Sequence, residues 1–145
     1  MCRILIVDDE DEIRAAIERR LLRDNLKVDT ASSEAEALEK LNSVEKTYDI
    51  VLTDMAMENP DSGMNVLQGA LMQDIFTEVI VLTAYGNVSN AVESMKRGAF
   101  DYVEKNIPGV DVYDLMSIKV SQALERRRSS VNAVRRMDRI GHSQG

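Results

Sequence analysis

Short apolar runs rich in β-branched residues alternate along the chain with longer segments of helical period. The runs are Ile4–Val7, Val28–Ala31, Ile50–Thr53, Val79–Thr83 and Phe100–Val103. Between them Ile13, Ala16, Ile17 and Leu21 recur at helical spacing, and so do Ala35, Leu38 and Leu41. Val66, Leu67, Ala70 and Leu71 make a third stripe, and Val88, Ala91, Val92 and Met95 a fourth. Val112, Met116, Val120, Ala123 and Leu124 make a fifth. Apolar positions that return every three or four residues line one face of a helix. Five strands alternating with five helices predict an α/β fold, a doubly wound parallel sheet with helices on both faces. Ile4–Val7 and Val79–Leu82 are continuously apolar, as central strands covered on both faces should be. Right-handed crossovers leave few topologies, and the flavodoxin-like strand order 2-1-3-4-5 fits five strands best.

That order reverses between the first and third strands, and ligands of open α/β sheets bind beside such a point, at the carboxyl ends of the strands. Asp8 and Asp9 follow the first strand there, and Asp54 follows the third. Three converging carboxylates repel one another unless a proton or a cation intervenes. Hard oxygen ligands with room for waters suit Mg²⁺. Thr83 ends the fourth strand and Lys105 follows the fifth. A hydroxyl and an ammonium facing an acidic metal pocket suit a bound phosphoryl group.

Four motifs then stand in order at these strand ends. They are Ile4-Leu5-Ile6-Val7-Asp8-Asp9-Glu10, Val51-Leu52-Thr53-Asp54-Met55, Val81-Leu82-Thr83-Ala84-Tyr85-Gly86 and Gly98-Ala99-Phe100-Asp101-Tyr102-Val103-Glu104-Lys105. From about Arg3 to Arg126 the chain resembles the receiver domains of bacterial two-component response regulators, in pattern those of NtrC-type regulators. The resemblance implies that Asp54 is a phosphoacceptor that forms an acyl phosphate. It implies Mg²⁺ bound directly by Asp9, Asp54 and the backbone carbonyl of Ala56, and by Asp8 mostly through water. Lys105 would pair with one phosphoryl oxygen and Thr83 would hydrogen-bond another. Tyr102 would be a switch aromatic that turns inward as Thr83 moves. Phosphoryl transfer needs positioning and charge neutralisation more than covalent help, which agrees with this set. The implied partners are a sensor histidine kinase or a histidine phosphotransfer protein, with an output domain or effector of unknown kind. A homodimer is left open.

Two positions depart from the family pattern. Asn106 follows Lys105 where proline is usual, so the Lys105–Asn106 bond should be trans, with Pro108 making the following turn. After Asp54 the chain reads Met57-Glu58-Asn59-Pro60, with Gly63 about one residue later than usual. Glu58 either brings negative charge to the pocket or points to solvent. Two other function classes fit the residues less well. Haloacid-dehalogenase-type phosphatases use an aspartyl nucleophile with a second Asp two residues on, whereas Asp8 and Asp9 are adjacent. A degenerate receiver that only binds partners is disfavoured because all five site positions are intact, although Asn106 and the longer loop keep it open. Asp11 and Glu12 read as helix-start acids, favourable there by about 0.3–1 kcal/mol.

The chain of 145 residues is 44% hydrophobic and 30% charged, enough for one domain with a real core. Its longest apolar runs are four residues, as in Val79–Leu82, too short to cross a membrane. No secretory signal is visible, which predicts a cytoplasmic protein. Cys2 is the single cysteine and His142 the single histidine, and neither is assigned a role. The eight methionines read as core filler. Residues 1–125 hold 24 acids and 12 bases, against six arginines and Asp138 alone in residues 126–145. The acidic body argues against a nucleic-acid interface on the main domain. The division expected is a receiver domain over residues 1–126, followed by a basic helical extension, linker or disordered tail over 127–145.

Overall fold

The computed structural model describes residues 2–43, 47–84 and 87–144, with side chains as far as Asp138. Five strands are β1 (Arg3–Val7), β2 (Lys27–Ala31), β3 (Ile50–Asp54), β4 (Glu78–Thr83) and β5 (Asp101–Glu104). Five helices alternate with them: α1 (Asp11–Leu22), α2 (Glu34–Leu41), α3 (Ser62–Gln73), α4 (Val88–Lys96) and α5 (Val112–Gln144). The sheet is parallel throughout, in the order β2-β1-β3-β4-β5. This is the flavodoxin-like arrangement the sequence pattern predicts.

Strand residues alternate between two cores, as the two-residue period of a strand requires. Ile4, Ile6, Ile50, Leu52, Ile80, Leu82 and Val103 face α1 and α5, meeting Ile17, Leu21, Val112, Met116, Val120 and Ala123. Leu5, Val7, Val51, Val79 and Val81 face the other way, against Ala37 and Leu41 of α2 and Val66, Leu67 and Ala70 of α3. In register, Leu5 stands beside Val51, and Val51 beside Val79, so each core is a continuous stripe across the sheet. Burying each such aliphatic side chain contributes about 1.5–3 kcal/mol before the entropy of ordering it.

Some boundaries and stripes differ from the sequence expectation. The fifth strand begins at Asp101, with Phe100 just outside it and only partly buried. In α2 the buried residues are Ala37 and Leu41, and Ala35 is exposed. The α4 stripe holds at Ala91 alone: Ala91 and Ser94 are buried, whereas Val88, Val92 and Met95 are exposed. Ser94 can be buried because its hydroxyl donates to the Ala91 carbonyl at 2.6 Å. Small residues let this helix lie close to the sheet, and the larger ones are turned outward. The Lys105–Asn106 bond is trans. Beyond it, Val110 N donates to Ile107 O at 3.1 Å around Pro108 and Gly109, and Gly109 has φ of 76°. Proline followed by a residue with positive φ is the signature of a type II turn. Asp111 then caps α5, its Oδ1 accepting from Tyr113 N at 3.1 Å. No helix among the described residues is long and apolar enough to cross a membrane.

Candidate functional site

The carboxyl ends of β1, β3, β4 and β5 converge on one edge of the sheet and carry the predicted residues there. Asp8 leaves β1 still paired to β2, with its N–H on Ala31 O at 3.1 Å. Lys105 leaves β5 paired to β4, with its N–H on Thr83 O at 2.9 Å. These backbone bonds fix two chain ends whose side chains then meet. Lys105 Nζ lies 2.7 Å from Asp8 Oδ2, 3.0 Å from Asp54 Oδ2 and 3.1 Å from Glu10 Oε1. Asp8 is fully buried, and Asp54 and Lys105 nearly so. Asp9 beside them is exposed.

Gly63 brings α3 against this edge. A Cβ at Gly63 would stand 2.5 Å from Asp54 O and 2.7 Å from Met55 Cα, so a side chain there would push the helix off the strand end. Gly63 N instead donates to Met55 O at 2.8 Å.

Four carboxylates, from Asp8, Asp9, Glu10 and Asp54, place oxygens within 4.8 Å of one another. One ammonium faces them. Burial pushes the Asp54 carboxyl up to about 6; Lys105 offsets part of this, and Asp8 and Asp9 add to it. Burial likewise raises Asp8 above its ordinary value, against the opposing pull of Lys105 and the Glu10 N–H. Burial works to lower Lys105, but its bonds to Asp8 and Asp54 prevail and hold it above the usual lysine range. Asp8 Oδ2 has the Lys105 ion pair but no aligned hydrogen-bond donor. An excess of clustered hard oxygen donors, one of them buried and without an aligned donor, fits a small divalent cation such as Mg²⁺.

Thr83 is buried at the end of β4. Its hydroxyl donates to the Ala84 and Asn87 carbonyls, each at 3.2 Å, and so is turned toward the chain that follows β4. Tyr85 and Gly86 of the third motif lie outside the described residues. Tyr102 is half-buried and packs against the core on the α2–α3 side. Ala56 sits on the loop immediately after Asp54 and is exposed.

Two side chains take parts that the spacing did not reveal. Glu10 closes the first motif, and the resemblance implies no role for it, yet it reaches Lys105. Its signal was its place two residues after Asp8, where the Asp8 Oδ1 bond to Glu10 N at 2.8 Å folds the chain back. Glu58 stays out of the pocket and lies on the exposed surface, where both its carboxylate oxygens lie 3.0 Å from Glu34 N, the first N–H of α2. No local pattern could have paired them.

The family model for the response regulator receiver domain matches residues 4–117. Response regulator protein PilR of Pseudomonas aeruginosa is 38% identical over 106 residues, covering 72% of this chain and 23% of that protein. DNA-binding transcriptional regulator NtrC of Escherichia coli is 36% identical over 102 residues, covering 70% of this chain and 21% of its own length. The chain thus spans about a quarter of the length of these relatives. Among solved structures, a response regulator receiver domain protein from Clostridium thermocellum superposes with a TM-score of 0.76 at 35% identity, covering 88% of this chain and 98% of that one. NtrX from Brucella abortus gives 0.81 at 26% identity, over 92% of this chain and 30% of NtrX.

Proposed function

The chain belongs to the response regulator receiver family of two-component signalling, and from that premise we propose that Asp54 is its phosphoacceptor. The donor is a phosphohistidine on a sensor histidine kinase or a histidine phosphotransfer protein. The observation that carries this reading is the convergence of Asp54 with Lys105 at 3.0 Å inside the four-carboxylate cluster.

An Asp54 carboxylate oxygen attacks phosphorus in line. The phosphorus–nitrogen bond to the donor imidazole breaks as the acyl phosphate forms, and the imidazole leaves with a proton. In a second step, water attacks the same phosphorus, the acyl oxygen–phosphorus bond breaks, and inorganic phosphate is released as the carboxylate is restored. Asp9, Asp54 and the Ala56 carbonyl would hold Mg²⁺ directly, and Asp8 through water. Bound there, the cation supplies neutralising charge for the anionic oxygens gathered in the site. Lys105 is already desolvated and held by Asp8, so it can pass from Asp54 to a phosphoryl oxygen with little rearrangement. Thr83 must turn its hydroxyl from the Ala84 and Asn87 carbonyls to donate to another phosphoryl oxygen. That movement vacates space toward which Tyr102 turns, carrying the signal to the β4–α4–β5 face and on to an output domain or effector.

The test is phosphorylation by acetyl phosphate with Mg²⁺, read by intact mass. Wild type should gain one phosphoryl group and Asp54→Asn none. Equal labelling of the two would overturn the assignment.

A further inference from the structure

The loop between Asp54 and α3 carries the Ala56 carbonyl, yet no glycine or proline fixes the backbone at Ala56, Met57 or Glu58. Its far end is well held. Asn59 N donates to Ser62 Oγ at 3.1 Å, Ser62 N to Asn59 O at 3.2 Å, and Gly63 N to Met55 O at 2.8 Å. The crest closes on itself through Met57 N to Asn59 O at 3.2 Å. Met57 rests its side chain on the core. Among the described residues, the hydrogen bonds that join the side chains of this crest to another element are those of Glu58 to Glu34 N, at 3.0 Å from each oxygen.

Those bonds fall on a helix terminus with N–H groups to satisfy. Ser33 Oγ takes the Glu36 N–H of α2 at 3.1 Å, and Glu58 takes the Glu34 N–H. A carboxylate is favoured at that positive end, and these N–H bonds hold the Glu58 carboxyl below its ordinary range. The two caps divide the work. Ser33 belongs to α2 alone, whereas Glu58 joins α2 to the loop. Asn65 Nδ2 donates to Glu34 Oε1 at 3.1 Å, so α3 is tied to the same first turn of α2.

We propose that Glu58 is a positioning residue for the metal-dependent reaction at Asp54, holding the Ala56 carbonyl in place by anchoring its loop to the first turn of α2. The inference rests on the phosphoacceptor reading above for its purpose, but its physical content is separate. Without the anchor the loop samples more conformations, and an oxygen ligand that must first be ordered binds its cation more weakly. The Glu34 N–H of α2 and the phosphorylation site are thereby coupled through this one side chain, whereas the Ser33 cap bears on α2 alone.

The experiment compares wild type, Glu58→Ala, Glu58→Gln and Ser33→Ala in the unphosphorylated protein. Mg²⁺ affinity is measured by titration of backbone amide shifts, and amide hydrogen exchange is followed across residues 32–37 and 55–60. Removing a solvent-exposed anchoring bond should weaken Mg²⁺ binding by about threefold to tenfold in Glu58→Ala. Glu58→Gln, which keeps the shape and one acceptor, should fall between. Ser33→Ala should speed exchange at the Glu36 amide yet leave Mg²⁺ affinity at the wild-type value. With acetyl phosphate, Glu58→Ala should be slow at low Mg²⁺ and recover its rate as Mg²⁺ is raised. Wild-type Mg²⁺ affinity in both Glu58 variants would overturn the proposal, and so would an equal loss in Ser33→Ala. Absence of phosphorylation on wild-type Asp54 would instead overturn the functional reading, while the affinity comparison would still decide the role of Glu58.

Discussion

Arg127 Nε lies 2.6 Å from Asp49 Oδ1, pinning α5 to the residue before β3, at the opposite end of that strand from Asp54. Arg127 Nη2 also reaches Asp74 Oδ2 at 3.0 Å, and the other Asp49 oxygen accepts the Arg3 N–H at 2.7 Å. Burial disfavours the guanidinium charge, but its bonds to Asp74 and Asp49 prevail and keep it protonated. Arg127→Gln should therefore leave two half-buried carboxylates without their partner and cost about 1–3 kcal/mol. Urea unfolding checks this. A chain ending after Arg128 should closely match the stability of the 145-residue chain, whereas one ending after Glu125 should show the loss seen in Arg127→Gln.

Asp54 should destabilise the metal-free domain. Its carboxyl is raised to about 6 in the folded chain, above the ordinary value of about 3.9 expected when unfolded. Between those values the folded state binds more protons, so stability falls as pH rises through that window. At neutral pH the penalty is complete, about 1–3 kcal/mol. Asp54→Asn should thus be more stable than wild type at pH 7.5 in a chelator, with the gap closing toward pH 4. Millimolar Mg²⁺ should narrow the gap at pH 7.5 by stabilising wild type more. Equal stability of the two proteins at both pH values would refute this.

Lys105 is the counter-charge of a fully buried carboxylate at Asp8. Lys105→Met leaves that charge unpaired and should lower stability by about 3 kcal/mol in the absence of metal. Mg²⁺ should recover much of the loss, because a cation supplies the charge the ammonium gave. Thermal melts with chelator and with Mg²⁺ read both effects.

Thr83→Ala removes the hydroxyl that bonds the Ala84 and Asn87 carbonyls but leaves Asp54 and Lys105 intact. Phosphorylation should still occur. The ring resonances of Tyr102, which should shift on phosphorylation of wild type, should stay unshifted in the variant. A full shift would remove Thr83 from the switch.

The cores and the gathering of Asp8, Asp54 and Lys105 were legible because both depend on short-range pattern. Alternation along β1, β3 and β4 dictates two faces, and a polar residue ending an apolar strand must emerge at the strand's carboxyl end. Features set by distant partners were not legible. Glu58 takes its role from Glu34, Arg127 from Asp49 and Asp74, and Tyr48 from Asp29, whose Oδ2 accepts its hydroxyl at 2.8 Å. The α4 stripe misled because Val88, Val92 and Met95 keep helical spacing on the solvent side, while Ala91 and Ser94 make the close approach. Size decided that contact, and hydrophobicity alone did not reveal it.

The most direct measurement is chemical trapping of the phosphorylated residue. Borohydride reduces an acyl phosphate to the alcohol, so a phosphorylated aspartate becomes homoserine and is marked in the peptide that carries it. After acetyl phosphate and Mg²⁺, peptide mass spectrometry should find homoserine at position 54 and at no other aspartate. Homoserine at Asp8 or Asp9, or its absence from the whole chain under conditions that label a known receiver domain, would contradict the account.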